Sequence, residues 1–185
     1  MTTAALQIPD YVTGTWAIDS VHSEVSFVVR HMMVSKVRGR FDAFDGTFTT
    51  AADPLQSTVT ATVDLSSVNT GNETRDNHIR SEDFFHIEKH PAMTFRSTGL
   101  RPEGGNFLLD GDLTLHGVTK QVTFSVDGPS APGKDPWGNT RIGLSATTKI
   151  NRKDFGLNWN AALEAGGILV GEDVHITVEA EFTKA

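Results

Sequence analysis

The chain has 185 residues, 38% of them apolar and 21% charged, with a net charge of −7 and no cysteine. That size suits one domain with a sizeable core, and the composition is that of a globular protein, not a disordered one. The acidic balance argues against a grip on nucleic acid or on an anionic membrane through clustered Lys and Arg, and the absence of cysteine excludes disulfides, thiolate catalysis and cysteine-bound metal centres.

The start, Met1 to Asp10, has neither a basic opening nor an apolar run long enough for a signal peptide, and no stretch approaches a membrane span. The expectation is a cytoplasmic protein with residues 1–14 as an N-terminal extension. Beyond it the dominant pattern has period two, the mark of strands with one dry and one wet face. Val25, Phe27 and Val29 form a first alternating run. The stretch Val37 to Thr50 is long and changes phase, with Val37, Phe41 and Ala43 at odd positions and Phe44 and Phe48 at even ones. A β-bulge in one bent strand would do this. Val59, Ala61, Val63 and Leu65 form another run. Asn72 to Arg80 reads as a short polar helix with Asn72 as its N-cap. Ser81 to Phe85 reads as a single turn carrying two aromatic side chains inward.

Met93 and Phe95 make a short run, and Gly104-Gly105 a turn. Phe107 to Leu115 alternates, with Leu108 as the exception. His116-Gly117 reads as a two-residue hairpin turn. Val122, Phe124 and Val126 follow, then a loop from Pro129 to Trp137 with three prolines, then Ile142, Leu144, Ala146 and Ile150. Asn160 to Glu164 suggests one helical turn stopped by Gly166-Gly167. Val174, Ile176, Val178, Ala180 and Phe182 form the last run, alternating with His175, Thr177, Glu179 and Glu181. Eight or nine amphipathic strands in one domain give a barrel or a sandwich, and strands this long favour the barrel.

Few residues invite chemistry. His86 and His90 stand four apart, but no glutamate directly follows His86 as the zinc-protease motif requires, and Pro91 disfavours helix at His90. Arg75, Asp76 and His78 could serve an acid–base step or could be one solvated helix face, with no nucleophile to complete a catalytic set. Arg30, Arg38 and Arg40 could hold a phosphate or be plain surface charge, and no glycine-rich phosphate loop accompanies them. The eleven phenylalanines lie mostly on inward phases. They would either fill a small barrel or leave an elongated dry slot.

The run from Trp16 to Phe41 (WAIDSVHSEVSFVVRHMMVSKVRGRF) resembles the opening signature of the YceI-like polyisoprenoid-binding proteins. The resemblance continues through Asn72 to Phe85 (NETRDNHIRSEDFF), Pro91 to Phe95, Gly111 to Thr119 and Asp135 to Gly138. It closes with Asn151 to Asn160 and Gly166 to Gly171, in the family's order. His86 departs from it, standing where an acid is expected. The resemblance implies an all-β fold over residues 15–185: an extended eight-stranded antiparallel lipocalin-like β-barrel with short helical segments. It implies binding, storage or transport of a polyisoprenoid or related amphiphile, such as a quinone or prenyl diphosphate, with no catalysis, no metal and no cofactor. It also implies a homodimer. Many members carry a signal peptide, and this sequence shows none.

For such a barrel the expected lumen lining is Phe27, Val29, Met33, Phe41, Phe44, Phe48, Val63 and Phe84. Further along the chain it includes Phe85, Phe95, Leu113, Phe124, Leu144, Phe155 and Trp159. The expected head-group contacts are His31, Arg38, Arg75, Asp76 and His78. Two other readings stand beside this one: an enzyme acting on an isoprenoid lipid through Asp76 and His78, and an interaction module whose barrel is filled by its own aromatics.

Overall fold

The computed structural model describes residues 8–163 and 167–185. Among the described residues twelve strands and one α-helix follow each other. The strands are β1 (Gly14–Ile18), β2 (Glu24–His31), β3 (Ser35–Phe41), β4 (Phe44–Thr50), β5 (Thr58–Asp64) and β6 (Val68–Asn69). After helix α1 (Glu73–Arg80) come β7 (Ala92–Glu103), β8 (Asn106–Leu115), β9 (Val118–Asp127), β10 (Gly133–Lys134), β11 (Thr140–Asn151) and β12 (Val170–Lys184). All pairings are antiparallel, and the ring β11-β9-β8-β7-β5-β4-β1-β12 closes on itself because β12 also pairs with β11. This is the expected eight-stranded barrel.

Eleven of these pieces make the eight long strands, because three of those strands are broken (β1–β2, β3–β4 and β5–β6), and the two-residue β10 only pairs onto the edge of β11. β12, with 15 residues, runs the length of the barrel. It pairs with β1 near its C-terminal end (Ile18↔Phe182) and with β2 further back (Val25↔Val178). Asp19 to Ser23 bulge out between them, and there the Ser23 hydroxyl and the Asp19 amide take over the hydrogen bonds to Glu181. The phase change within Val37–Thr50 is a break of the same kind and not a bulge in one strand. At Asp42-Ala43 the ladder stops, and Ser67 replaces it by accepting from the Asp42 amide at its carbonyl and the Ala43 amide at its hydroxyl. Each break leaves no buried side-chain polar atom without a partner among the described residues.

Local chemistry explains the elements. Asn72 caps α1 by accepting from the Arg75 amide at 3.0 Å. The two hairpin turns at Gly104-Gly105 and His116-Gly117 have both central residues at positive φ (54° and 90°, 55° and 73°), the geometry that matches the twist of the flanking strands. Ser81 to Phe85 is a turn, as expected. The helical turn expected over 160–164 is not formed within the described residues. Ala162 makes an isolated antiparallel bridge to Ile168, and Glu164 lies outside them. β7 extends well beyond Met93–Phe95, because a register shift between Ser97 and Gly99 breaks the alternation that would have revealed its second half.

The inward faces form two apolar clusters. The larger includes Phe41, Leu65, Val68, Phe95, Leu113, Phe124 and Phe155. The smaller gathers Trp16, Phe48, Ile142, Ala180 and Phe182 at one end of the barrel.

Candidate functional site: a two-part lumen

The inward side chains do not fill the barrel. Two cavities lie end to end along the axis, and Met93 and Ile176 line both. One is wide, about 740 Å³, a size usual for a small-molecule site. The other is a narrow slot of about 150 Å³.

The wide cavity is built between β2, β3, the face of α1 and the segment 157–159. Phe27, Val29, Phe41, Phe84, Phe85 and Trp159 line it. The Phe27 and Phe41 rings sit 5.5 Å apart, and Phe41 and Phe85 are 6.1 Å apart. At the mouth, His78 meets Trp159 edge-on at 4.6 Å and Phe84 at 5.1 Å. These separations are typical of offset or edge-to-face aromatic pairs. Phe27 rests on Gly39, the residue directly across the strand pair. A Cβ there would lie 2.3 Å from the ring tip, so the glycine sets how deep the ring sits.

Buried Arg152 fixes the far wall. Its guanidinium donates to the carbonyls of Gly171, Leu157, Trp159 and Val170. It is 3% exposed, and burial pushes its pKa down, partly opposed by Glu172. An arginine stays charged regardless. It ties the Leu157–Trp159 segment to the start of β12 and so holds Trp159 over the mouth.

The narrow slot takes Phe44, Phe48, Val63, Phe95, Leu113, Phe124 and Leu144. Phe95 and Phe124 meet edge-on at 5.2 Å. Ile8, Tyr11 and Pro54 close its end. There the Trp16 indole donates to the Thr50 hydroxyl at 2.9 Å, and that hydroxyl donates to Val12 at 2.8 Å. The Tyr11 hydroxyl donates to the Ala51 carbonyl and sits 3.2 Å from the Ser57 hydroxyl. Ile8 and Tyr11 were not legible as lining residues, because a short segment without alternation before the first strand carries no inward-facing signal.

Of the expected lining, thirteen positions face the lumen and two do not. Met33 is 60% exposed, because Met32-Met33 forms the turn at the tip of the β2–β3 hairpin and lifts it off the wall. Phe155 is 1% exposed and lines neither cavity. It sits in a 3-10 turn (Arg152–Phe155) and belongs to the solid core.

Of the expected head-group contacts, His31, Arg75 and His78 line the wide cavity. Arg38 does not. It pairs with Val28 on the outer face of the hairpin, a phase fixed by Val29 and Val37 pointing inward. Asp76 does not either. It is 6% exposed and accepts from the Thr70 amide at 2.9 Å and the Thr70 hydroxyl at 2.5 Å. Arg75 donates to the same hydroxyl at 2.7 Å and to the Thr70 carbonyl at 2.8 Å. Asp76 therefore pins α1 to the chain leaving β6. His78 bonds to Asp83 at 2.9 Å instead, so the acid–base pair imagined from Asp76 and His78 is not assembled. Among the described residues no three His, Asp or Glu side chains are placed to hold a metal ion.

The mouth is thus polar at its rim, and most of that polarity is already engaged. His78 is held by Asp83, and Arg75 spends two of its nitrogens on Thr70. His31 has no side-chain hydrogen bond among the described residues. The site offers two apolar cavities that meet at Met93 and Ile176, the narrow one bounded by Ile8, Tyr11 and Pro54 and the wide one carrying polar groups in its rim.

The family model for the YceI-like domain matches residues 16–182. The UPF0312 protein SA2479 of Staphylococcus aureus is 38% identical over 170 residues, 91% of this chain and 96% of that protein. Among solved structures, BcnA of Burkholderia cenocepacia has the same fold, with a TM-score of 0.75 at 22% identity over 89% of this chain and 98% of its own. The YceI protein of Campylobacter jejuni matches with a TM-score of 0.70 at 27% identity, over 84% of this chain and 90% of its own. A polyisoprenoid-binding domain from Saccharophagus degradans, implicated in plant cell wall breakdown, matches with a TM-score of 0.68 at 20% identity, over 94% of this chain and all of its own. The chain belongs to the YceI-like family.

Proposed function

We propose that the protein binds a polyisoprenoid or a related amphiphile in its lumen, to store or carry it without altering it. The observation that carries this reading is the pairing of the two cavities: a narrow apolar slot continuing a wider cavity that opens between polar side chains. A flexible apolar tail fits the slot. Its burial is favourable by about 0.8 kcal/mol per CH2 group, less the cost of ordering it. The head then rests by His31, Arg75 and His78. Arg75 and His78 are engaged with Thr70 and Asp83, so a compact neutral head such as a quinone rests beside them without displacing those bonds, whereas a diphosphate head would draw on Arg30 and His31, which line the same cavity.

Native mass spectrometry of the purified protein, followed by organic extraction, tests this. The expected result is one polyprenyl species per chain. A protein that is empty and takes up neither added ubiquinone nor a prenyl diphosphate would overturn it. The same spectrum reads the homodimer that belongs to this proposal, and cell fractionation reads the cytoplasmic location.

A further inference from the structure

The β2–β3 hairpin departs from the rest of this acidic chain. Its tip carries Met32, Met33 and Val34, exposed by 46%, 60% and 83%. The tip is a three-residue loop between the paired His31 and Ser35, and within it a β-turn is closed by the Val34 amide donating to the His31 carbonyl at 3.1 Å. Its central residues, Met32 and Met33, have φ of 51° and 60°. That turn favours Asn and Gly, since a Cβ is strained at positive φ. Here strained positions hold two apolar, adaptable side chains about half exposed to water, Met33 with its sulfur over Gly167. Strain of this kind is a starting point for a functional inference.

The outer face behind the tip is basic. Arg30 lies directly across from Lys36, and Arg38 follows Lys36 on the same face. Like charges placed directly opposite in a sheet are unfavourable. All three are exposed, and among the described residues none of them makes an ion pair. Glu172 and Asp173 border the same outer groove, but Lys153 lies 2.9 Å from the first and Lys149 3.9 Å from the second. The net charge of −7 therefore conceals a local surface of opposite sign capped by an apolar tip.

We propose that this hairpin is a docking surface for an anionic lipid bilayer, with Met32, Met33 and Val34 entering the interface and Arg30, Lys36 and Arg38 facing the headgroups. Apolar residues flanked by Lys and Arg are the arrangement that holds a peripheral protein at such an interface. The tip also borders the wide cavity. His31 lines that cavity, and the Met32 amide donates at 2.7 Å to the carbonyl of Leu169, another lining residue. Docking would present the mouth to the membrane. The surface stands whatever the cavity holds.

The test is co-sedimentation of the full chain with phosphatidylcholine vesicles and with mixed phosphatidylcholine–phosphatidylglycerol vesicles at low and moderate salt. Binding is expected only to the anionic vesicles and should weaken as salt rises. The double variant Lys36→Glu/Arg38→Glu should lose at least roughly tenfold in binding, and Met32→Ser/Met33→Ser should weaken it while keeping the salt dependence. These side chains are exposed, and circular dichroism checks that the variants fold. Failure of the native protein to bind anionic vesicles, or binding indifferent to both salt and the charge reversal, overturns the proposal. So does a dimer in light scattering that Met33→Ser/Val34→Ser splits into monomers, since a second copy would then cover the tip.

Discussion

The two halves of the lumen are built from the same alternating strands, yet they are held open and shut by different means. The narrow half is closed by packing. Trp16, Phe48 and Phe182 form a sealed cluster, and Val12 and Thr50 supply its polar contacts. The wide half is kept open by polar fixings in and behind its walls: Arg152 on four carbonyls and His78 on Asp83 within the lining, and Asp76 on Thr70 behind it. A cavity is an energetic liability that packing tends to eliminate. It persists here because groups that cannot leave their hydrogen bonds anchor its walls. The comparison teaches that the polar residues nearest a lumen need not be there to touch what enters it.

The largest effect expected on this contrast comes from Arg152→Ala. Four carbonyls lose their donor together, and urea unfolding should show a loss of about 3–5 kcal/mol. A loss below about 1 kcal/mol would mean that packing, not the arginine, holds the wide half. A smaller effect is expected in the slot. Ala146→Leu adds bulk at a residue that is 6% exposed and lines the narrow cavity, where overpacking costs about 1–3 kcal/mol. In fluorescence titrations a long prenyl quinone should bind roughly tenfold more weakly to this variant, while a short-chain analogue confined to the wide cavity is unaffected. Equal losses for both would break the division of the lumen into two parts. Gly39→Ala comes next, at about 1–2 kcal/mol. It forces the Phe27 ring toward the wide cavity, and its structure should show the ring displaced there.

The smallest effect concerns an ion cluster on the outer wall. Arg141 joins Asp19 at 2.7 Å, Asp135 at 2.7 Å and Glu181 at 3.3 Å, linking the break between β1 and β2 to β11 and β12. The Arg141 guanidinium first, and then the His22 ring, hold the Asp19 carboxyl far below its ordinary 3.8. Burial pushes Asp135 up, but donors from Arg141, Asn139 and the Trp137 amide outweigh it and hold it low as well. A carboxylate with a depressed folded pKa adds stability above its unfolded value and loses it as pH falls through the folded one. The melting temperature should therefore drop as pH falls below about 4, and it should drop less steeply in Arg141→Ala. Parallel curves for the two proteins would show that the cluster carries none of the acid sensitivity.

The strands were legible in the sequence because one face of each is dry, and period-two alternation survives wherever a ladder is continuous. β8, β9, β11 and β12 appear at their alternating runs. Alternation fails where a break intervenes, so Val37–Thr50 suggested one bulged strand and the second half of β7 was hidden. In the site, inward phase placed Phe27, Phe41 and Phe95 correctly, and the same phase rule read from Val29 and Val37 would have turned Arg38 outward. Asp76 was misread because its partner, Thr70, is a loop residue whose proximity depends on the fold. Nothing in one dimension separates a carboxylate that meets a ligand from one that pins a helix.

The ring is closed by β12, which joins residues from the two ends of the chain, Trp16 to Lys184 and His31 to Val170. During synthesis every other strand of the ring emerges before β12, so until it arrives the edges it pairs with have no partner in the ring. Those edges, on β11 and on β1–β2, are templates for pairing with another chain until the last segment arrives. Pairings of such long sequence separation also make closure slow. The lumen exists only once the final strand has been laid down between β11 and β1–β2.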